Sequence, residues 1–248
     1  MRYSDRTKFS APKNTLVDAW CSEHGTALNV VGEVVDSIEA VGAEPQYCRV
    51  ADVIPINPYT AEKLIHLGAW LQECELHAAN SDDRKMTSKR YDQFWRTMTC
   101  GLAGDGYPVP VEYGAYFKGY LNYIKSKVPH VIDADLKFKG EGSGSIILPA
   151  RLESHPSSMG HTLIESSLEK WASKRRFCTT ARGRLGFVPT EAGPGDLICI
   201  LYGGELPYLL RLQGSNSYSV LGECYVDGIM HGEALSGDSL RTKRFKLV

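Results

Sequence analysis

The chain has 248 residues, with 28 Lys plus Arg against 29 Asp plus Glu, a net charge of -1 and 43% hydrophobic residues. That length supports one large domain or two small ones and buries enough surface to need neither disulfide nor metal. The near-neutral balance supplies no long-range field for nucleic acid or an anionic membrane, and no apolar run approaches the ~18 residues of a membrane span.

Tyr3 to Asn14 is polar and reads as irregular. Leu28 to Val41 is dominated by β-branched residues, with Gly32 as a candidate bulge, and predicts a strand buried on both faces. Three helices are expected next. Thr60 to Asn80 carries Leu64, Leu67, Leu71, Cys74 and Ala78 at helical spacing and is broken by Ser81-Asp82-Asp83. Thr87 to Thr99 sets Tyr91, Phe94, Trp95 and Met98 on one face, and Pro110 to Lys127 carries a tyrosine-rich stripe. After a Gly/Ser-rich stretch (Gly140 to Ser145), His161 to Ala172 predicts one more helix, whose C-terminal dipole Lys174-Arg175-Arg176 would cap.

The remainder reads as five short strands: Phe177 to Thr180, Arg184 to Val188, Asp196 to Leu201, Tyr208 to Gln213 and Tyr218 to Val226, with Gly or Pro in the turns. The expected fold class is α+β, a helical front packed with a C-terminal curved antiparallel sheet or small barrel. By regions, 1–139 is mostly helical with an early strand, 140–160 is a flexible insert and 161–248 is helix plus five strands, together forming one compact unit.

The seven cysteines (Cys21, Cys48, Cys74, Cys100, Cys178, Cys199 and Cys224) form no Cys-x-x-Cys pair. They read as reduced, mostly buried thiols of a cytoplasmic protein. The first residues also lack the apolar core of a signal peptide.

The chemical motifs are sparse. Gly101 to Gly106 follows a helix and precedes no Lys-Ser/Thr, so it reads as a turn rather than a phosphate loop. No Gly-x-Ser-x-Gly elbow occurs. His155, His161 and Glu165 are the best metal candidates, but their spacing is too loose to assign a metal. Asp133 and Asp135 read as solvated charges. On the last predicted strand, Glu223 and Tyr225 would share a face opposite Cys224 and Val226, with His231 just beyond Gly228. These three are the candidate catalytic residues. Asp196 and Arg211 could meet that face, the alternative being ion pairs that serve architecture only. Trp95, Tyr113, Tyr116 and Tyr120 would line an apolar pocket with convergent hydroxyls, and with Asp196 and Arg211 they make up the candidate substrate-binding set.

Read as one string, Lys174-Arg175-Arg176-Phe177, Arg182-Gly183-Arg184-Leu185-Gly186, Gly195-Asp196-Leu197-Ile198-Cys199 and Gly203-Gly204 continue through Pro207-Tyr208-Leu209-Leu210-Arg211 and Leu221 to Met230, then Gly232-Glu233-Ala234. This resembles the C-terminal, post-effector region of fungal heterokaryon-incompatibility (HET-domain) proteins. Gly32 to Ile38, Phe94 to Thr97 and the Tyr113 segment fall in the same order. No segment resembles the family's N-terminal TIR-like effector domain, so the resemblance implies fungal origin and fold, not cell death or nucleotide chemistry.

Two functions are therefore expected. The first is a stand-alone protein of fungal secondary metabolism acting on an apolar small molecule. It would be a cofactor-independent cyclase, pericyclase or isomerase that holds a near-attack conformer. The alternative is a non-catalytic sensor or protein-interaction module of an incompatibility protein. Neither reading calls for a cofactor, a metal, nucleic acid or a membrane.

Overall fold

The β-branched run that opens at Leu28 forms a 14-residue strand, β2 (Leu28–Val41), on which the C-terminal strands are assembled. A computed structural model describes residues 9–13, 15–22, 25–44, 58–79, 86–140, 159–214, 216–235 and 242–248; for 58–63 and 128–140 it gives the helix alone. The breaker Ser81-Asp82-Asp83, the interior of the Gly/Ser-rich insert and His155 lie outside the described residues, as do the side chains of Asp133 and Asp135.

β2 is long enough to serve two sheets. Its first residues pair antiparallel with β1 (Ala19–Cys21) on one edge and β9 (Lys243–Leu247) on the other; its middle pairs with β5 (Leu197–Leu201) and its end with β3 (Arg176–Thr180). From β5 the chain continues to β6 (Pro207–Gln213) and β7 (Ser217–Glu223), and β7 runs parallel to β9, which returns to β2. The ring β2–β5–β6–β7–β9 is closed, so its strands need no capping at an edge. From β3 the second sheet passes through β4 (Leu185–Val188) to β8 (Tyr225–Val226). The tight point of the ring is Gly32, where a Cβ would lie 2.4 Å from the Ile200 carbonyl oxygen.

Two apolar clusters hold these sheets. Val30, Cys199, Leu201, Leu210, Tyr218 and Phe245 come from all five ring strands and fill the barrel. Ile198 and Ile200 alternate to the other face of β5 and pack with Val35, Ile38, Cys178, Val188, Leu209, Cys224 and Val226. Burial on both faces explains why Leu197 to Leu201 is an unbroken apolar run rather than an alternating one. Each fully buried aliphatic side chain contributes about 1.5–3 kcal/mol.

By contact density the chain divides into two units, Met1–Glu44 with Lys174–Val248, and Pro45–Ser173. The early strand thus joins the strands that follow the helices. The second unit holds α1 (Pro58–Ala78), α2 (Ser88–Met98), α3 (Tyr113–Gly140) and α4 (Met159–Ser167), the last continued by a π-helical turn, Leu168–Ala172. Thr87 caps α2 by accepting from the Arg90 amide at 3.2 Å. α2 and α3 meet where Gly114 lies against the Trp95 indole, a Cβ there falling 2.8 Å from Nε1.

Two expectations are corrected. α3 does not stop at Lys127 but runs on across Pro129 to Gly140; a proline removes one helical hydrogen bond and kinks the helix without obliging it to end. Arg176, expected at a helix end, is the first residue of β3 and gives its guanidinium to the loops beside the sheet. Arg175 donates to the Glu223 carbonyl at 2.9 Å, and Arg176 donates to the carbonyls of Gly42, Thr190 and Ala192. Lys174 takes a left-handed conformation, φ 64°, just before β3 begins. The Gly101 to Gly106 segment is a turn, held by Trp171 Nε1 on the Ala103 carbonyl and Lys170 Nζ on that of Gly104, both at 2.8 Å. Among the described residues no helix is long and apolar enough to cross a membrane.

Candidate functional site

In the barrel unit, Asp196 and Arg211 meet each other. Asp196 precedes β5 and is 4% exposed. It accepts from Arg211 Nε and Nη2, both at 2.8 Å, and from the Gly193 amide at 2.8 Å. A further bond from Arg211 Nη2 reaches the Glu191 carbonyl at 2.9 Å. The hydrogen bonds to Asp196, and then its charge, raise the guanidinium's already high pKa. This bidentate clamp fixes the Gly193-Pro194-Gly195 turn to the β5–β6 pair.

A second clamp, unremarked at the sequence level, is built on Asp36. Its buried carboxylate accepts from Thr180 Oγ1 at 2.7 Å, Arg184 Nη1 at 2.8 Å, and the amides of Ser37 and Arg182 at 2.9 and 3.2 Å. Four donors saturate it and tie the β3–β4 hairpin to β2. The sequence signal was available: an acidic residue on a strand otherwise buried on both faces must find such partners.

The catalytic candidates are distributed differently from the shared face that one continuous strand would give. Pairing breaks at Cys224: Glu223 ends β7 opposite Tyr208 of the barrel, whereas Tyr225 begins β8 opposite Phe187 of the second sheet. Tyr225 is buried, its hydroxyl 3.4 Å from Asp227 Oδ1 and its ring 6.0 Å from that of Phe9. His231 is exposed; its ring lies 5.5 Å from Phe9 and its amide donates to Glu233 Oε2. Phe9 therefore links Tyr225 and His231, while Glu223 stands apart at the barrel. Burial pushes up the thiols of Cys178, Cys199 and Cys224, the last two to about 12.

The aromatic candidates lie in the helical unit and split into two groups. Trp95 donates from Nε1 to Asp92 at 3.3 Å, while the Tyr113 and Tyr116 rings lie 5.9 Å apart. Burial raises the Tyr113 hydroxyl pKa, helped by Asp105. Tyr120, fully buried, turns instead to His161, with ring centroids 5.8 Å apart, and Tyr123 lies 5.3 Å from the same imidazole. Glu165 follows one turn later on α4 and is also buried. Burial, then the Glu165 charge, raises the Tyr123 pKa. This cluster joins two helices through buried polar and aromatic groups. Among the described residues no three His, Cys, Asp or Glu are disposed to hold a metal ion.

One further surface escaped the sequence reading. Val30 and Phe245 face the barrel interior, so their strand neighbours face out. Register sets Trp20 of β1 beside Asn29 and Lys246, and Val31 beside Arg244. The Arg244 guanidinium reaches back over the Trp20 indole, 5.4 Å from its centroid. Beside it, the Tyr202 hydroxyl donates to Glu33 Oε1 at 2.5 Å and lies 3.2 Å from Thr242 Oγ1; Glu33 Oε2 is buried with no partner among the described residues. Leu16, Val17, Trp20 and Leu28 are 86, 68, 42 and 41% exposed, an apolar margin along the same segment. Polar punctuation around a three-residue strand hid this surface from periodicity.

The Het-6 beta-barrel domain profile matches residues 113–248. Over 72 residues the chain is 39% identical to heterokaryon incompatibility protein 6, OR allele, of Neurospora crassa; the match covers 28% of this chain and 10% of that protein. The matched part thus spans about a tenth of the relative's length. No solved structure matches.

Proposed function

The chain belongs to the Het-6 β-barrel domain family, whose profile covers more than half of it, and from that premise we propose that it is a recognition module of the heterokaryon-incompatibility kind, binding a partner protein rather than turning over a metabolite. A contrast within the barrel unit supports this reading. Asp196, Arg211 and Asp36 spend their hydrogen-bonding capacity on turns and hairpins. Among the described groups left to solvent are Trp20, Arg244 and Lys246 on the barrel's outer wall, with an exposed apolar margin beside them. Exposed aromatic and arginine side chains set on a rigid sheet are the usual anchors of protein interfaces. Cross-linking in fungal cell extract tests it. The wild-type chain is expected to yield a discrete cross-linked species that a Trp20→Ala/Arg244→Glu variant of equal stability loses; an unchanged pattern counts against the reading.

A second reading keeps the small-molecule activity and draws on the Tyr120, Tyr123, His161 and Glu165 cluster, where a proton donor and acceptor stand among aromatic rings. It expects the purified chain to convert a component of metabolite extract from a strain lacking its gene, and Tyr120→Phe to slow that conversion. No conversion by mass spectrometry removes it.

A further inference from the structure

Resting on the recognition reading, the geometry points to an extended segment of a partner protein that adds as a strand to the open edge of β1, with a carboxylate facing Trp20, Arg244 and Lys246. Strand addition needs free main-chain groups, and β1 has them. Val31 N donates to the Asp18 carbonyl at 2.9 Å and Ser22 N donates to the Ala27 carbonyl at 2.8 Å. Residues 18 and 22 therefore turn their peptide groups toward β2. In an antiparallel ladder alternate residues point opposite ways, so the N–H and C=O of Ala19 and Cys21 face outward. Among the described residues β1 pairs with β2 alone, and all three of its residues are exposed.

The side chains set the chemistry of the arriving strand. On the outer face, register places Lys246 in the Trp20 row, and the Arg244 guanidinium lies over the indole itself. One exposed cation thus reaches the Trp20 position itself, and a second lies in the same row two strands away. Asp18, also exposed, lies two residues earlier on the same face and opposes a second carboxylate there. The incoming segment is therefore acidic opposite Trp20 and neutral at its other outward positions. On the inner face it meets Ala19, Cys21 and the 41% exposed Leu28, which stands beside Cys21, so its inward residues are apolar. Main-chain bonds supply affinity and this alternation supplies specificity.

The test is fluorescence anisotropy with a labelled heptapeptide of alternating valine and threonine bearing one central glutamate, against the same peptide with lysine there. The full chain is expected to bind the glutamate peptide at least tenfold more tightly. Ala19→Pro removes an outward N–H without touching the β2 ladder, since proline is tolerated on an edge strand. It is expected to weaken binding at least tenfold while leaving the melting temperature in place, whereas Arg244→Glu inverts the preference. Equal binding of both peptides, or binding indifferent to Ala19→Pro, overturns the proposal. So does sedimentation as a dimer that Ala19→Pro dissociates, which would make a second copy the occupant. If neither peptide binds while the Trp20→Ala/Arg244→Glu variant still loses its cross-linked species, strand addition is wrong and the recognition reading stands.

Discussion

Replacing Asp196 by alanine separates a structural clamp from a ligand-binding residue. The carboxylate accepts three hydrogen bonds at 2.8 Å, two from Arg211 and one from the Gly193 amide. The Arg211 side chain is 41% exposed and regains water on release, so the ion pair itself contributes no more than about 1 kcal/mol. The Gly193 amide is different. It loses its acceptor beside a position only 4% exposed, which costs roughly 1–3 kcal/mol. The sum is about 1–4 kcal/mol, and at roughly 2–4 °C per kcal/mol for a chain of this size the melting temperature should fall by about 2–16 °C. Arg211→Ala should cost less, and the double variant about the same as Asp196→Ala alone, because the two residues act on one another. Thermal denaturation followed by circular dichroism reads all three. A binding residue behaves in the opposite way: removal leaves stability intact or improves it. A melting temperature for Asp196→Ala within 2 °C of wild type would refute the clamp.

Gly32→Ala should prevent the barrel from closing. Its Cβ would sit 2.4 Å from the Ile200 carbonyl oxygen and 2.9 Å from the Leu201 Cα, both backbone atoms that cannot step aside; the expected result is loss of the cooperative melt. A fragment of residues 113–248, the part matched by the family profile, lacks β2 and therefore the strand that closes the ring. It should show no native amide-exchange protection in β5 or β9. Native alkylation at pH 8 should label Cys21, which is exposed, and spare Cys74, Cys100, Cys178, Cys199 and Cys224 until the chain unfolds. Because burial raises Cys199 and Cys224 from 9.0 to about 12 in the folded chain, their contribution to stability is complete below about pH 9 and is lost as pH climbs toward 12. Denaturant midpoints across that range should fall with rising pH, and less steeply in Cys224→Ala.

What could be read from the residues followed local periodicity. The Leu64 to Ala78 stripe and the Phe94, Trp95, Met98 face announced α1 and α2, and the β-branched run announced β2. Partnership was a different matter. That β2 belongs with strands more than 130 residues later depends on long-range pairing, which leaves no mark in a local window. β9 was missed because Lys243, Arg244 and Lys246 make it look like a charged tail; Phe245 and Leu247 pack with the barrel cluster, and Lys243 turns to the same side, its ammonium against the Tyr218 hydroxyl and ring. The break at Cys224 was hidden for the converse reason. Tyr218 to Val226 keeps strand composition throughout, while Gly222, at φ 144°, and the Arg175 contact to the Glu223 carbonyl redirect the chain from one sheet to the next. Of the candidate residues, Glu223, Tyr225 and His231 were expected to act together, with Asp196 and Arg211 meeting them or forming ion pairs; Tyr225 and His231 share the Phe9 ring, Glu223 lies at the barrel, and Asp196 and Arg211 bond to each other. Tyr120 finds a ring partner, His161, on α4, an element far along the chain from the stripe that suggested it.

We propose partner recognition through the outer barrel wall. Its most direct test is the growth response at the contact line between fungal strains when the chain, the Trp20→Ala/Arg244→Glu variant or Tyr120→Phe is expressed at equal level. The wall variant is expected to abolish any incompatibility reaction the wild-type chain elicits, whereas Tyr120→Phe is expected to preserve it. A reaction that survives the wall variant and disappears with Tyr120→Phe would contradict it.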